Sequence, residues 1–478
     1  MWTKVSVLSL LLLLAGSRLR ADDVEPQQAV SHLCNFENPL LDPTDTEGDG
    51  YCDCDLQNVP PWGELVVKIS CRKHNLTDAF WPEDGREYLP QGTVQVDLSQ
   101  NSLSRIPRLI GEALRYLLLD HNEIATVPDK VFAGLGSLLE LDLSWNRLEV
   151  LGTDALTGLG LVKKIDLSHN HIAAIEVNAF SGAIHLEWLV LSNNSLGEFF
   201  NRTAETDLYL RLGVTTRLAT IELERCNLID ISLTNGAGLE KAFLGHNRLQ
   251  QVTRLPKQLS YLDLSGTPIR SLSPKFLPHL LHLETLVMQD MPILYTLEAY
   301  SLYGLPRLAL LNLQGSRNLS VIHAHTFGVV RNETDTALKR LILKGTNIRT
   351  LNGSLAFAFE NVRMLDLRGA PLRCDCQLRW LREMHNLTTV GICLKPSTLR
   401  HRPFGTIEPH QFECRAEQSW VYTVFNVILA ILLVVGVGVG IYLIVRAVRP
   451  PSNVQLRKVG ENSPYARVTI EPNQAENL

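Results

Sequence analysis

The chain has 478 residues, 45 Lys and Arg against 50 Asp and Glu, and a formal net charge of −5. So mild a charge gives no reason to expect nucleic acid or an anionic polymer as partner. A 45% hydrophobic content with only 20% charged residues excludes a chain that is disordered throughout.

Residues 1–21 have the layout of a cleaved signal peptide: one early cation, Lys4, an apolar run from Val5 to Ala15, and small residues at Ser17 and Ala21 where cleavage is expected. A secreted history makes disulfides the natural state of the cysteines that follow. Residues 22–93 hold Cys34, Cys52, Cys54 and Cys71, with an acidic stretch from Asp45 to Gly50. That stretch begins like a calcium loop, but Leu56 stands where the twelfth position needs a carboxylate, so no metal is expected there.

From residue 94 to 372 one phrase recurs about twelve times. Clear copies are Leu114-Arg-Tyr-Leu117-Leu-Leu119-Asp-His-Asn122 and Leu138-Leu-Glu-Leu141-Asp-Leu143-Ser-Trp-Asn146, and the closing residues Asn122, Asn146, Asn170 and Asn194 fall 24 positions apart. A fixed period with the same apolar positions refilled predicts stacked identical units, each burying leucines against its neighbours because none could bury them alone. The expected fold is an α/β solenoid, a leucine-rich repeat horseshoe with a parallel concave sheet.

The slot closing each copy should satisfy inward-pointing backbone groups of the turn. Asn101 and Asn247 also occupy it, as does Cys226, the odd one of nine cysteines, which is read as a buried slot residue and not a reactive thiol. Thr267, Met291, Ser316, Thr346 and Ala370 make the ladder irregular towards the C-terminus. Two spacings are long, Asn194 to Cys226 with Gly197 to Leu212 as the excess, and Ser316 to Thr346 with excess around Val329 to Thr336. Insertions of this kind map to loops, and both carry N-glycosylation sequons, at Asn201 and Asn332. Further sequons stand at Asn75, Asn193, Asn318, Asn352 and Asn386.

Within each unit the residues alternating with leucine should face the concave side. They offer large aromatics beside mixed charge, the composition of binding hot spots. Tyr116, His121, Trp145, His169, Trp188 and Tyr261 are the candidate protein-binding residues, Trp145 and Trp188 foremost. His121, His169 and His246 recur at the position before the slot, which is repeat register and not a catalytic constellation. No glycine-rich phosphate loop, Gly-x-Ser-x-Gly elbow or His-Glu-x-x-His stretch occurs, so neither enzymatic activity nor a cofactor is expected.

Residues 373–418 contain Cys374, Cys376, Cys393 and Cys414. The run Pro371-Leu-Arg-Cys374-Asp-Cys376-Gln-Leu-Arg-Trp380 resembles the C-terminal flanking cap of extracellular leucine-rich repeat proteins. That resemblance implies bridges Cys374 to Cys393 and Cys376 to Cys414. By analogy with the matching N-terminal cap it implies Cys34 to Cys54 and Cys52 to Cys71, although four cysteines taken alone allow three pairings.

Residues 419–445 predict one transmembrane helix, with 25 uncharged residues from Val421 to Val445 against the roughly 20 a bilayer needs. Trp420 and Tyr422 suit one interface, and Arg446, Arg449, Arg457 and Lys458 follow on the other side, which places the repeats outside the cell. Gly436 and Gly440 allow a close-packed homodimer, and Asn426 is a polar residue within the span. Residues 446–478 predict a disordered cytoplasmic tail holding Tyr465-Ala-Arg-Val468, a sorting or phosphorylation pattern. Taken together, residues 34 to 445 resemble the single-pass type I leucine-rich repeat receptors and adhesion proteins of the plasma membrane. The resemblance implies non-enzymatic recognition of an extracellular or cell-surface protein, with signalling through recruited partners. The alternative is an auxiliary subunit that grips a channel or receptor through its membrane helix.

Overall fold

The structure, a computed structural model, describes residues 33–34, 52–59, 64–81, 86–201, 207–252, 254–277, 280–329, 337–414 and 420–448. The expected signal peptide, the Asp45–Gly50 stretch, Asn332, Tyr465 and Val468 lie outside these residues.

The described residues up to Glu413 form one unit built on a 15-stranded sheet. Its first strand, Asp53–Val59, runs antiparallel to Glu64–Ser70, and every later pairing is parallel, ending at Thr388–Val390. Most strands are three residues long with the central one buried, as in Glu140–Asp142, Lys164–Asp166 and Tyr261–Asp263. Their register is in step, so that Leu117, Leu141, Ile165, Leu189 and Ile221 stack in one row. Each of these five is fully buried, and each contributes on the order of 1.5–3 kcal/mol of transfer free energy. The sheet outnumbers the dozen sequence copies because the cysteine-containing ends add Glu64–Ser70 and Thr388–Val390 to it. The antiparallel Asp53–Val59 covers one edge, which would otherwise present unpaired backbone groups.

The slot asparagines stitch the turns together. Asn146 Nδ2 donates to Leu119 O of the preceding turn at 2.9 Å and to Leu143 O of its own at 3.1 Å, while Oδ1 accepts from Ile124 N at 3.0 Å. Asn122, Asn170 and Asn194 repeat this arrangement. Cys226 is buried, unbridged, and sends its thiol to Leu191 O, and burial pushes that thiol up to about 12. An inert slot residue explains all three facts.

Disulfides join Cys34 to Cys54, Cys52 to Cys71 and Cys374 to Cys393, and Cys376 and Cys414 are also disulfide-bonded. The first long spacing is not simply a surface loop. It holds the helices Gly197–Asn201 and Leu208–Leu212, the second burying Leu208, Tyr209 and Leu212, with Asp207 capping its start by accepting from Tyr209 N. Asp207 also accepts from Ser232 Oγ and Asn235 N, which ties the insertion to the next turn.

Among the described residues the second unit, Cys414 onwards, contains one helix, Trp420–Val448, of 29 residues. At about 1.5 Å per residue it is longer than the roughly 30 Å of a hydrocarbon core. Its apolar side chains from Val424 on are exposed, the condition of a helix whose solvent is lipid.

Candidate functional site

The residue before the slot adopts left-handed backbone in successive turns: Gln100, His121, Trp145, His169, Asn193, Arg225 and His246 have φ between 52° and 59°. A non-glycine residue there costs roughly 1–2 kcal/mol. The histidine recurrence seen in the sequence therefore marks a tight turn, and His121, Trp145 and His169 lie just beyond their strands and not within them.

The turns place those side chains one above another. Asp120 Oδ2 holds His121 Nδ1 at 2.9 Å. The His121 ring stacks on Trp145 with centroids 5.2 Å apart and planes at 11°, and Trp145 stacks on His169 at 3.8 Å and 9°. His169 Nε2 in turn accepts from Asn193 Nδ2 at 3.2 Å, and burial lowers its pKa against the opposing pull of Asp166. The result is a continuous column of planar groups across four turns. Trp145, although sandwiched, is still 50% exposed.

Beside the column, the strands present Tyr116 and Trp188, both exposed. Trp188 Nε1 donates to Glu222 Oε1 at 2.9 Å, and the Lys164 ammonium lies 5.1 Å from its ring centroid while pairing with Glu140 Oε1 at 2.7 Å. Tyr261 is half-buried, tilted against Phe243 at 4.8 Å, and burial pushes its phenol up to about 12. Trp188 is thus anchored yet accessible, and Tyr261 is set deeper.

Sequence reasoning gave less weight to the carboxylates between these rings. Asp142 has its pKa raised by burial, with Asp166 and Asp120 adding to the rise against hydrogen bonds from Ser144. Glu222 and Glu224 are also raised, burial leading in both, with Glu224 acting on Glu222 and Asp263 on Glu224. One oxygen of Asp142, Asp166 and Asp263 accepts from the backbone N–H two residues on, which explains the recurrent Asp-Leu-Ser of the repeats. The signal was in the register: Asp142, Asp166, Glu222 and Asp263 occupy equivalent positions along one sheet, and Glu224 follows its strand by two residues.

The remaining predicted positions are dispersed. Asn75, Asn318, Asn352 and Asn386 are exposed, Asn193 is half-buried in the column, and Asn201 ends a short helix. Gly436 and Asn426 lie exposed on the helix Trp420–Val448, and Gly440 is partly covered. Among the described residues no group of three or more His, Cys, Asp or Glu is arranged to hold a metal ion.

The leucine rich repeat family model matches residues 112–172 and 161–205. Tsukushi of Gallus gallus is 27% identical over 293 residues, covering 59% of this chain and 69% of that protein. Tsukushi of Homo sapiens is 42% identical over 72 residues, 15% of this chain and 20% of the human protein, so there the likeness spans only a fifth of the relative's length. A superposition on the solved structure of a TLR13–ssRNA13 complex covers 64% of this chain and 45% of that one, at 20% identity and a TM-score of 0.49.

Proposed function

The chain is a leucine-rich repeat protein with disulfide-bonded ends, and from that premise we propose that it is a single-pass type I receptor or adhesion protein of the plasma membrane. It recognises another protein through the strands of its N-terminal repeats and the turns that follow them. The observation that carries this reading is the stacked column His121–Trp145–His169, an exposed aromatic array held in a backbone conformation that costs energy and gains nothing for the leucine core. The carboxylates Asp142, Glu222 and Glu224 beside it favour a partner surface carrying lysine or arginine. The disulfides, which need an oxidising compartment, and the arginines after the helix support an orientation with the repeats outside the cell.

A second reading, an auxiliary subunit gripping a membrane partner, draws on Asn426, a polar side chain exposed within the apolar stretch of the helix. The test is to display full-length protein on cells, stain with multimerised ectodomains of other surface proteins, and compare wild type with Trp145→Ala and Trp188→Ala. Loss of binding by at least about 30-fold, roughly 2 kcal/mol, is expected of a hot-spot aromatic. Unchanged binding in both variants would remove this face from the interaction. Binding lost only when the membrane helix is exchanged for an unrelated apolar one would establish the auxiliary subunit.

A further inference from the structure

At the C-terminal end of the repeats, a cleft of about 710 Å3 opens between the last turns and the helix Arg379–Glu383. Its size falls within the roughly 300–1,000 Å3 of small-ligand sites. Ser320, Val321, Asn352, Gly353, Trp380 and Glu383 are among the residues that line it. Two of them belong to sequons on neighbouring turns, Ser320 to that of Asn318 and Asn352 to its own.

The wall beside Asn352 is an aromatic plate fixed in place. Trp380 Nε1 donates to Leu351 O at 3.3 Å, and its ring meets the edge of Phe359 with centroids 5.4 Å apart. Trp380 Cδ1 stands 3.7 Å from where a Cβ on Gly353 would be, which brings the indole next to the residue following Asn352. Asn352 itself is exposed and is already set in the geometry of an attachment point. Its Oδ1 accepts from Ser354 N at 2.9 Å, a bond that substitution on Nδ2 leaves intact. Planar polar groups complete the lining: Arg379 Nε on Glu383 Oε1 at 2.9 Å, and Thr350 Oγ1 on Gln377 Oε1 at 3.1 Å. The Ser320 hydroxyl is buried without a hydrogen-bond partner. An indole face flanked by carboxylate, guanidinium and amide groups has the chemistry to receive a pyranose, whose axial C–H groups pack on the ring while its hydroxyls bond the polar rim.

We propose that this cleft seats the first two N-acetylglucosamine units of an N-glycan attached to Asn352, stacked on Trp380, and that this glycan clamps the C-terminal cap to the last repeats. The proposal rests on the lumenal placement of the repeats put forward above.

The test uses full-length protein from glycosylating eukaryotic cells, purified in detergent. Occupancy is read at each sequon by glycopeptide mass spectrometry, followed by timed release with peptide N-glycosidase under native conditions. Asn352 should be occupied, and its glycan should be released at least 10-fold more slowly than that of exposed Asn75, with the difference abolished in Trp380→Ala and on prior denaturation. The Ser354→Ala variant, which removes the glycan but keeps the Asn352 bond to the backbone, should speed hydrogen exchange in Arg379–Glu383 relative to glycosylated wild type. Occupancy at other sequons with Asn352 bare, or release at Asn352 as fast as at Asn75, would overturn the clamp. The absence of glycan at every sequon would overturn the lumenal placement itself.

Discussion

The two halves of the solenoid solve the same stacking problem with different chemistry. From Asn101 to Asn247 every slot except Cys226 holds an asparagine whose amide bonds both its own turn and the one before. From Thr267 onwards the slot is a mixture. Ser316 reproduces both inter-turn bonds, donating to Met288 O at 3.1 Å and accepting from Met291 N at 3.2 Å. Thr346 donates only within its own turn, to Leu343 O, and Thr267 donates to Leu264 O and weakly to Met291 Sδ of the next turn at 3.8 Å. Ala370 offers no hydrogen bond from the side chain. The preceding position changes in parallel, from His121, Trp145, His169 and Asn193 to Gly266, Gly315, Gly345 and Gly369, all with positive φ, Asp290 before Met291 being the exception that keeps a side chain at φ 49°. Glycine adopts that conformation at little cost. The N-terminal half therefore tolerates strained, bulky turns over a strong ladder, whereas the C-terminal half has relaxed turns over a weak one.

The largest effect should come from removing a rung. Asn146→Ala leaves the buried Ile124 N–H without its acceptor and takes one of two amide donors from Leu119 O and Leu143 O, which keep those of Asn122 and Asn170. One orphaned buried donor costs about 1–3 kcal/mol, so a loss of roughly 2 kcal/mol is expected. Thr346→Ala, which gives up one bond within its own turn, should cost about 1 kcal/mol. Hydrogen exchange of full-length protein, read at the Ile124 amide and at Leu343 to Thr346, measures both. Equal costs at the two sites would dissolve the distinction between the halves.

Much of this architecture could be read from residue spacing, because a 24-residue period and refilled leucines leave few folds that bury them. The slot asparagines were legible for the same reason. The left-handed turn was not, since His121, Trp145 and Asn193 share no obvious chemistry and only the run Gly315, Gly345, Gly369 hints at the backbone they have in common. Stacking of His121, Trp145 and His169 was hidden too, because side chains 24 residues apart meet only once turn geometry is known. The burial of Leu208, Tyr209 and Leu212 was masked by their place in an insertion that breaks the period.

A smaller effect separates recognition from folding at the column. Trp145→Gly imports the residue type of the C-terminal turns. It removes two ring contacts worth about 0.5–1.5 kcal/mol each, relieves left-handed strain of about 1–2 kcal/mol, and adds unfolded-state entropy costing about 0.4–1 kcal/mol. At mid-range the sum is a loss of about 1 kcal/mol by chemical denaturation, while partner binding falls as for Trp145→Ala. A destabilisation above about 3 kcal/mol would mean that the column serves the fold and not a ligand.

The smallest effect, and the one that contrasts the halves most directly, is the sign of their pH dependence. Burial raises Asp142, Glu222 and Glu224 above ordinary carboxylates. The folded state thus holds these protons more tightly than the unfolded chain does. Their contribution to stability is fully present below the unfolded carboxylate value of about 4 and is lost as pH rises through the higher folded value. Asp366 is the opposite case, lowered chiefly by its hydrogen bonds from Arg368, with Nε at 2.9 Å and Nη2 at 2.5 Å. Its contribution is present above the unfolded value and disappears as pH falls through the lowered folded one. Exchange protection, corrected for intrinsic rates, should therefore rise in Glu140–Asp142 and fall in Met364–Asp366 as pH drops from 7 towards 3. Asp142→Asn should flatten the first response and leave the second unchanged, and parallel responses in the two strands would sink the assignment. The direction in the N-terminal half also has a functional meaning. Carboxylates that raise the energy of the folded protein at neutral pH are relieved by any cation brought against them, so a lysine- or arginine-bearing partner should bind more weakly as pH falls and salt rises.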